Sequence, residues 1–579
     1  MALSSFDQHS CFLCPSLMSS FHQATSIIDD FVHEIYPPFA ENPVRAESNP
    51  PATNVPPLSP HSERQTLPLL SALGHASCST IRAPIQMPLF DNSAMDGYAV
   101  RSWQTAKASS SNPLTFRVLG SIAAGDEPPV VLEGSDPDER TCWAIMTGAA
   151  FPLSVDQLGQ PVDSSCVNRY DACVKLELVT ANYTSNPTQP ESITLTSAVA
   201  LNANRRLAGE DIRVGDILVE QGEVLRKEHV MVLASMGLQE LEVSNRPSPE
   251  PRKVGRRLRI GIINTGKEVV LNSHMGLHRE PGKDSALPNG YKLDSSSSPF
   301  PPACSLPTPP SSRSPSISTL PLTTPQPALG ASQIWNSNGP YIHASLLTWG
   351  FPSQDIDVLT VPLQPGQDGD DPTAFQAAVQ AALAGHEPYD VLISTGGVST
   401  GVHDYVPASI VALGGEIGFH KIKMRPGGPM MFAHLANGRT GCTGSGASRT
   451  AYFGLPGNPV AAAVCLRFIV APALIGMRDG HGSMVPDEGR IVRMRGSDLR
   501  APDQSVLVQR KPALTRMYVP ARLRAAPCEH GLPEAEALAR GSNMTKALTR
   551  SDGWVRFLEG EDKDTVCDGD HVELFGLDI

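Results

Sequence analysis

Positive charge is what this chain has least to spare. Lys plus Arg number 46 against 59 Asp plus Glu, a formal net charge of −13 over 579 residues. With that balance and no long basic run, broad binding to nucleic acid or to an anionic membrane surface is excluded, although local basic pockets for anions remain open. No stretch approaches about 18 consecutive apolar residues, so no membrane span is read. The opening MALSSFDQHSCFLCPSLMSSF has no basic n-region and carries Asp7, which argues against a secretory signal. The 11 cysteines follow no pairing pattern and read as reduced thiols of a cytoplasmic (cytosolic) protein. Cys11 and Cys14 form a lone CxxC without the second pair a zinc site needs. No nucleophile elbow is present, so a Ser-His-Asp hydrolase is not suggested.

Glycine and proline are abundant, 48 and 53 residues, and they divide the chain. At about 150 residues per domain the length implies three or four domains. Residues 1–60 read as a weakly ordered entry holding one helix near Ala24 to Ile35. Residues 61–250 read as short strands and turns. The window 271–330 holds 12 Pro and 12 Ser in 60 residues and reads as a disordered insertion, because it cannot bury enough apolar area to offset chain entropy. The insertion interrupts an α/β unit over 251–480. There the spacing predicts strands at Arg259–Ile263 and Asp390–Ser394 and helices at Asn338–Trp349, Ala374–Ala384 and Val460–Ile469. Asp371 and Asn458 are the predicted caps of the last two. Residues 485–579 return to short strands and suggest a small barrel or sandwich.

Strands alternating with helices imply a mostly parallel sheet, whose ligands bind at the carboxyl ends of the strands. Gly-rich turns fall at such ends: Thr147-Gly148-Ala149, Thr265-Gly266, Thr395-Gly396-Gly397-Val398-Ser399 and Leu455-Pro456-Gly457-Asn458-Pro459. Each exposes backbone N–H groups that suit an anion, and each could equally be a plain tight connection. Carboxylates flank them at Asp96, Glu268, Asp370, Asp371 and Asp404, the donor type that Mg²⁺ shares with phosphate. The basic run Lys421-Ile422-Lys423-Met424-Arg425 reads as a strand with its three cations on one face, suited to phosphate or molybdate, or else a charged edge strand. The cluster Arg205, Arg206, Glu210, Asp211 has no chemistry evident from spacing.

Beyond these separate signals, Pro88 to Val100 (PLFDNSAMDGYAV) resembles the signature of the molybdopterin molybdenumtransferases, the MoeA and gephyrin E-domain family. The family's other motifs have counterparts in order: Gly120–Gly125, Met146–Ala149, Arg206-Leu207-Ala208-Gly209-Glu210-Asp211, Thr265–Glu268, Gly396–Tyr405 and Leu455–Pro459. The likeness spans about 65–579. It implies a multidomain α/β and β fold, with a MogA-like three-layer α/β molybdopterin-binding domain flanked by β-rich domains and a C-terminal β-barrel-like domain. It implies insertion of molybdate into adenylylated molybdopterin with release of AMP and Mg²⁺ as cofactor. A homodimer is implied too, with Asp96 and Thr147 of one chain facing Glu268 and Asp404 of the other. Partners would be the upstream adenylyltransferase and downstream molybdoenzymes.

By the same resemblance, Asp96, Thr147, Glu268, Asp370 and Asp404 are the candidate catalytic residues, with Glu268 and Asp404 as metal ligands. Thr265, Gly266, Thr395, Gly396, Gly397, Ser399, Lys421, Arg425, Pro456, Gly457 and Asn458 would bind pterin, phosphate or molybdate. Departures from the family pattern fall at Lys267, Pro407, Gly428 and Ala461, nearest the molybdate site. A molybdopterin adenylyltransferase and a non-catalytic, gephyrin-like scaffold are the alternatives. The first would need a second TGG-bearing domain, and the retained Asp96, Glu268 and Asp404 weigh against the second.

Overall fold

A computed structural model describes residues 18–36, 64–132, 139–156, 158, 169–183, 190–244, 255–271, 278–279, 329–359, 361, 371–384, 387–399, 404–438, 448–480, 489–495, 506–508, 516–524, 532–538, 544–556, 566–567 and 571–578. The CxxC pair, Asp370 and nearly all of the 271–330 insertion lie outside them.

Seven strands form the central sheet, in the order His278–Arg279, Ile356–Leu359, Ile260–Asn264, Val391–Thr395, Arg449–Leu455, Met431–Ala436 and Glu416–His420. The first five are parallel, and Met431–Ala436 runs antiparallel between Arg449–Leu455 and Glu416–His420. The inner strands are buried along almost their whole length because both faces are covered. Ile260, Ile262, Val391 and Ile393 pack with Tyr341, Ile342 and Leu346 of the helix Asn338–Thr348. Ile263 and Leu392 point the other way, onto Phe375 and Val379 of Pro372–Ala384 and Val406 and Ile410 of Val406–Ala412. Helices on both faces make this a three-layer unit. Asp371 caps its helix, accepting from the Thr373 backbone N–H at 2.8 Å.

The last helix of this unit runs further than the sequence pattern suggests. Pro459–Cys465 continues through a π-helical turn, Leu466–Val470, into Ala471–Asp479. Pro472 reads as a stop in sequence, but the widened turn before it absorbs the missing N–H. The resulting 21-residue helix is long and apolar enough to cross a membrane, yet 89% of its apolar window is buried inside the fold. Here the helix is a core element.

The preceding residues build a six-stranded sheet in the order Ala172–Lys175, Gly97–Val100, Thr141–Ile145, Leu114–Ile122, Ser192–Leu195 and Val179–Asn182, over a core of Tyr98, Val100, Phe116, Cys142 and Ile193. A small sheet of Arg64–Pro68, Glu240–Ser244 and Ala76–Ser77 packs with the helix Lys227–Ser235. At the C-terminus, Arg516–Leu523, Glu534–Ala537, Arg490–Arg495, His571–Gly576 and Gly553–Arg556 pair in sequence, and the last pairs back to the first. That ring is a closed five-stranded barrel, which decides between the barrel and sandwich readings. Phe468 of the long helix stacks on its Tyr518 at 4.0 Å between centroids.

His343 sits inside the helix Asn338–Thr348 and is only 1% exposed, with no partner for Nδ1. Burial, partly offset by Asp357, holds its imidazole down at about 4. The unfolded chain binds a proton there below about 6.5, and the folded chain does not until about 4. Stability present above pH 6.5 is therefore lost as pH falls through this window, approaching about 3 kcal/mol. Denaturation midpoints between pH 7 and 4 should fall more steeply in the wild type than in His343→Phe. Parallel curves would assign the acid sensitivity elsewhere.

Candidate functional site

Three parallel strands end side by side, and their turns meet. Thr265 follows the strand Ile260–Asn264, and its Oγ1 donates to the Thr395 carbonyl at 2.8 Å. Gly396, at φ +90°, lies so close that a Cβ would sit 2.6 Å from Thr265 Oγ1. The Gly396 N–H donates to the Leu455 carbonyl at 2.9 Å, and a Cβ on Gly457 would sit 3.7 Å from the Gly396 Cα. Thr265-Gly266, Thr395-Gly396-Gly397 and Pro456-Gly457-Asn458 thus form one cradle. The helix starting at Pro459 points its N-terminus there, the partial positive charge an anion requires. Asn458 takes the cap position, but its side chain makes no cap hydrogen bond.

Carboxylates and cations rim the cradle. The Glu268 carboxylate folds over Gly266, where a Cβ would meet its oxygens at 2.6 and 2.7 Å. The Val406 N–H donates to Gly397 O at 3.2 Å, drawing Asp404 in beside the second turn. His420 Nε2 lies 2.7 Å from the Val398 carbonyl. Burial lowers the His420 and Lys421 pKa values, and the nearby Asp404 carboxylate opposes both shifts. Ser399, directly after Val398, is part-buried.

The basic run is not the strand expected from its alternation. The strand ends at His420, Lys421 takes φ +71°, and only Met424–Arg425 returns to extended pairing, in parallel with Arg516–Met517. Ile422 and Met424 are buried while Arg425 is exposed, so the alternation records a folded turn with an apolar underside. Gly427 at φ +114° presses the turn's end against Cys465 and Ala461 of the helix Pro459–Cys465. Ala461, where the family resemblance expects serine, is therefore next to this turn. Pro407 serves the first turn of Val406–Ala412, and Gly428 lies under Met18.

Asp96 and Thr147 belong to the six-stranded sheet and hold each other. Thr147 donates to Asp96 Oδ1 from its N–H at 2.8 Å and from Oγ1 at 2.7 Å. The neighbouring turn Ala123–Asp126 touches Gly148 on one side and Lys267–Glu268 on the other. Lys267 Nζ bonds Asp126 Oδ1 at 2.6 Å, which gives the unusual Lys267 a partner. Within one chain, the turn Ala123–Asp126 lies between the Asp96–Thr147 corner and Glu268.

Sequence reasoning passed over Asn264, Asn336, Asn338 and His420. Asn338 Nδ2 donates to the Gly457 carbonyl at 2.8 Å, tying the start of the helix Asn338–Thr348 to the cradle, and Asn336 Oδ1 accepts from Gly339 N–H at 3.1 Å within that start. The signal was there: a polar Asn-Ser-Asn-Gly run opening an otherwise apolar helix. Arg205 through Asp211, by contrast, stand elsewhere. Arg205 pairs with Asp91, Arg206 with Glu210, and Asp211 accepts from Thr545 N–H at 2.7 Å. That motif staples distant parts of the chain.

Comparison with known proteins agrees with this architecture. Residues 43–237 match a family model described as "MoeA N-terminal region (domain I and II)", and 318–476 one described as "Probable molybdopterin binding domain". A molybdopterin molybdenumtransferase of Synechococcus elongatus is 28% identical over 415 residues, covering 72% of this chain and 76% of its own. The Haemophilus influenzae protein of that name is 28% identical over 414 residues, covering 71% and 72%. A solved MoeA protein of Pyrococcus horikosii overlays with TM-score 0.34 at 19% identity, covering 96% of this chain and 99% of that one. With both domain models matched in order and such relatives along seven-tenths of its length, the chain belongs to the MoeA family of molybdopterin molybdenumtransferases.

Proposed function

We infer that this chain inserts molybdate into adenylylated molybdopterin, releasing AMP and completing the molybdenum cofactor. The observation that carries the reading is the meeting of the three strand-end turns, Thr265-Gly266, Thr395-Gly396-Gly397 and Pro456-Gly457-Asn458, in one cradle. Its N–H groups and helix start suit the substrate's pyrophosphate. Lys421 and Arg425 would neutralise phosphate or molybdate oxygens, lowering the cost of attack at phosphorus. Asp404, beside Lys421, would hold that cation's orientation and keep the rim polar. Asp96 and Thr147 would close the opposite rim, and Ser399 would add a hydroxyl.

Among the described residues, no three His, Cys, Asp or Glu side chains lie together to hold a metal. The chain supplies no complete cage among those residues, so Mg²⁺ would be held by Glu268 and Asp404 only in company with substrate phosphates. Bound there, it would neutralise pyrophosphate charge. We assign residues 61–250 to the family's first two domains, 251–480 to the pterin-binding domain and 485–579 to the fourth. A homodimer fits the exposed Val130, Leu132, Leu153, Leu178 and Tyr183 of the β-rich region.

Purified protein should release AMP from adenylylated molybdopterin only when molybdate is added. Asp404→Ala should lower that rate at least about a hundredfold, near 2.7 kcal/mol of barrier. AMP release that ignores molybdate, or an Asp404→Ala rate equal to wild type, would refute the assignment.

A further inference from the structure

The two family matches leave Met18–Tyr36 unclaimed, yet this segment reaches the basic turn. The Ser19 N–H donates to the Lys421 carbonyl at 3.2 Å, and the Lys423 N–H donates to the Ser19 carbonyl at 3.0 Å. Ser19 thereby forms a parallel bridge with Ile422. On the other side, the Arg516 N–H of the barrel donates to the Lys423 carbonyl at 3.1 Å. The turn is gripped from both edges.

The grip matters because Lys421 is a non-glycine residue at φ +71°, a conformation that costs on the order of 1 kcal/mol and persists only where neighbours enforce it. Lys421 N–H is held by the Met430 carbonyl at 2.9 Å, and its carbonyl by Ser19. Ser19 in turn is fixed by the helix that begins just after it. Ser20 and Gln23 form a capping box, with bonds of 2.8 and 3.1 Å. The helix Phe21–Ile35 then buries Ala24, Ile28, Phe31 and Val32. Phe31 stacks on His434 at 5.5 Å, and a Cβ on Gly418 would meet Ile27 at 2.8 Å. Arg516 lies 4.1 Å over the Phe21 ring, so the same arginine residue joins both edges of the grip.

We propose that the main chain of Ser19 is a positioning element for the anion-binding turn, setting the backbone of Lys421 and with it the reach of the Lys421 ammonium toward an oxyanion substrate. This rests on the reading of Lys421 as an anion ligand given above.

The test compares full-length Ser19→Pro, which removes the N–H, with Ser19→Ala, which keeps it, and with Lys421→Ala. Ser19→Pro should raise the KM for molybdate about tenfold, equivalent to about 1.4 kcal/mol, with kcat within about twofold. Hydrogen exchange across 421–425 should quicken, and Ser19→Ala should match wild type. A wild-type KM in Ser19→Pro beside an impaired Lys421→Ala overturns the positioning role alone, as does equal impairment of Ser19→Ala and Ser19→Pro. An unchanged KM in Lys421→Ala overturns the anion-ligand reading and this proposal with it. Should Ser19→Pro fail to fold, wild-type hydrogen exchange decides. Lys423 N–H exchanging in step with the amides of Ala24 to Ile28 supports the strap, and independent exchange overturns it.

Discussion

Gly396→Ala should lower AMP release by about a hundredfold while shifting the melting temperature by only a few degrees. The added methyl would stand 2.6 Å from Thr265 Oγ1 and 3.4 Å from the Thr265 carbonyl oxygen, so one of the two turns must retreat. Displacements near 1 Å are enough to cost about 10²-fold in rate when the group orients a reacting centre. The backbone at φ +90° adds on the order of 1 kcal/mol of conformational cost. Gly414 supplies the control. It has φ +77°, but a methyl added there would meet no atom within 4 Å, so Gly414→Ala pays the backbone cost alone and should keep its activity. Equal losses in both variants would mean that left-handed backbone, and not crowding between turns, explains the result.

The largest stability effect is expected at Lys227, which is 2% exposed beside Glu228 at 1%. Its Nζ lies 3.1 Å from Glu228 Oε1 and also bonds Asp578, near the end of the last barrel strand. Lys227→Met leaves the Glu228 carboxylate buried without its cation, and removing one partner of such a pair costs about 3–5 kcal/mol. The double variant Lys227→Met/Glu228→Leu should recover most of that, because it removes the stranded charge together with its partner. Denaturant midpoints measure both. A single variant as stable as wild type, or a double variant no better than the single, would contradict the stranded-charge explanation.

The parts of the fold that were legible in sequence are those where glycine and proline punctuate apolar runs. Ile260–Asn264, Val391–Thr395 and Arg449–Leu455 end at Thr-Gly or Pro-Gly steps, and that is why the cradle could be located before its geometry was known. The barrel strand Arg516–Leu523 does alternate, with Met517, Val519, Ala521 and Leu523 on its inner face, but Pro520 in its middle argues against a strand when read from sequence. Closure around the ring places its inner Val519 and Ala521 in the core regardless. The basic run misled for the opposite reason: a folded turn with a buried underside yields the same alternation as a strand. Asn338 read only as a helix start because its contact to the cradle, at Gly457, lies far away in sequence. Arg205 to Asp211 carried a family motif whose partners, Asp91 and Thr545, no spacing could announce.

The long apolar helix has a consequence for how the chain is made. The sheet strands that cover one side of Pro459–Asp479 are all synthesised before it, so a seat is ready when it leaves the ribosome. Tyr518, Trp554 and Phe575, which meet Phe468 on its other side, emerge later. At about 5–20 residues per second, a helix apolar enough to enter a bilayer is half-clothed for on the order of ten seconds. During that interval one side of the helix has no barrel to pack on, and a message truncated before the barrel would deliver a sticky product even though every residue of the cradle had already been made.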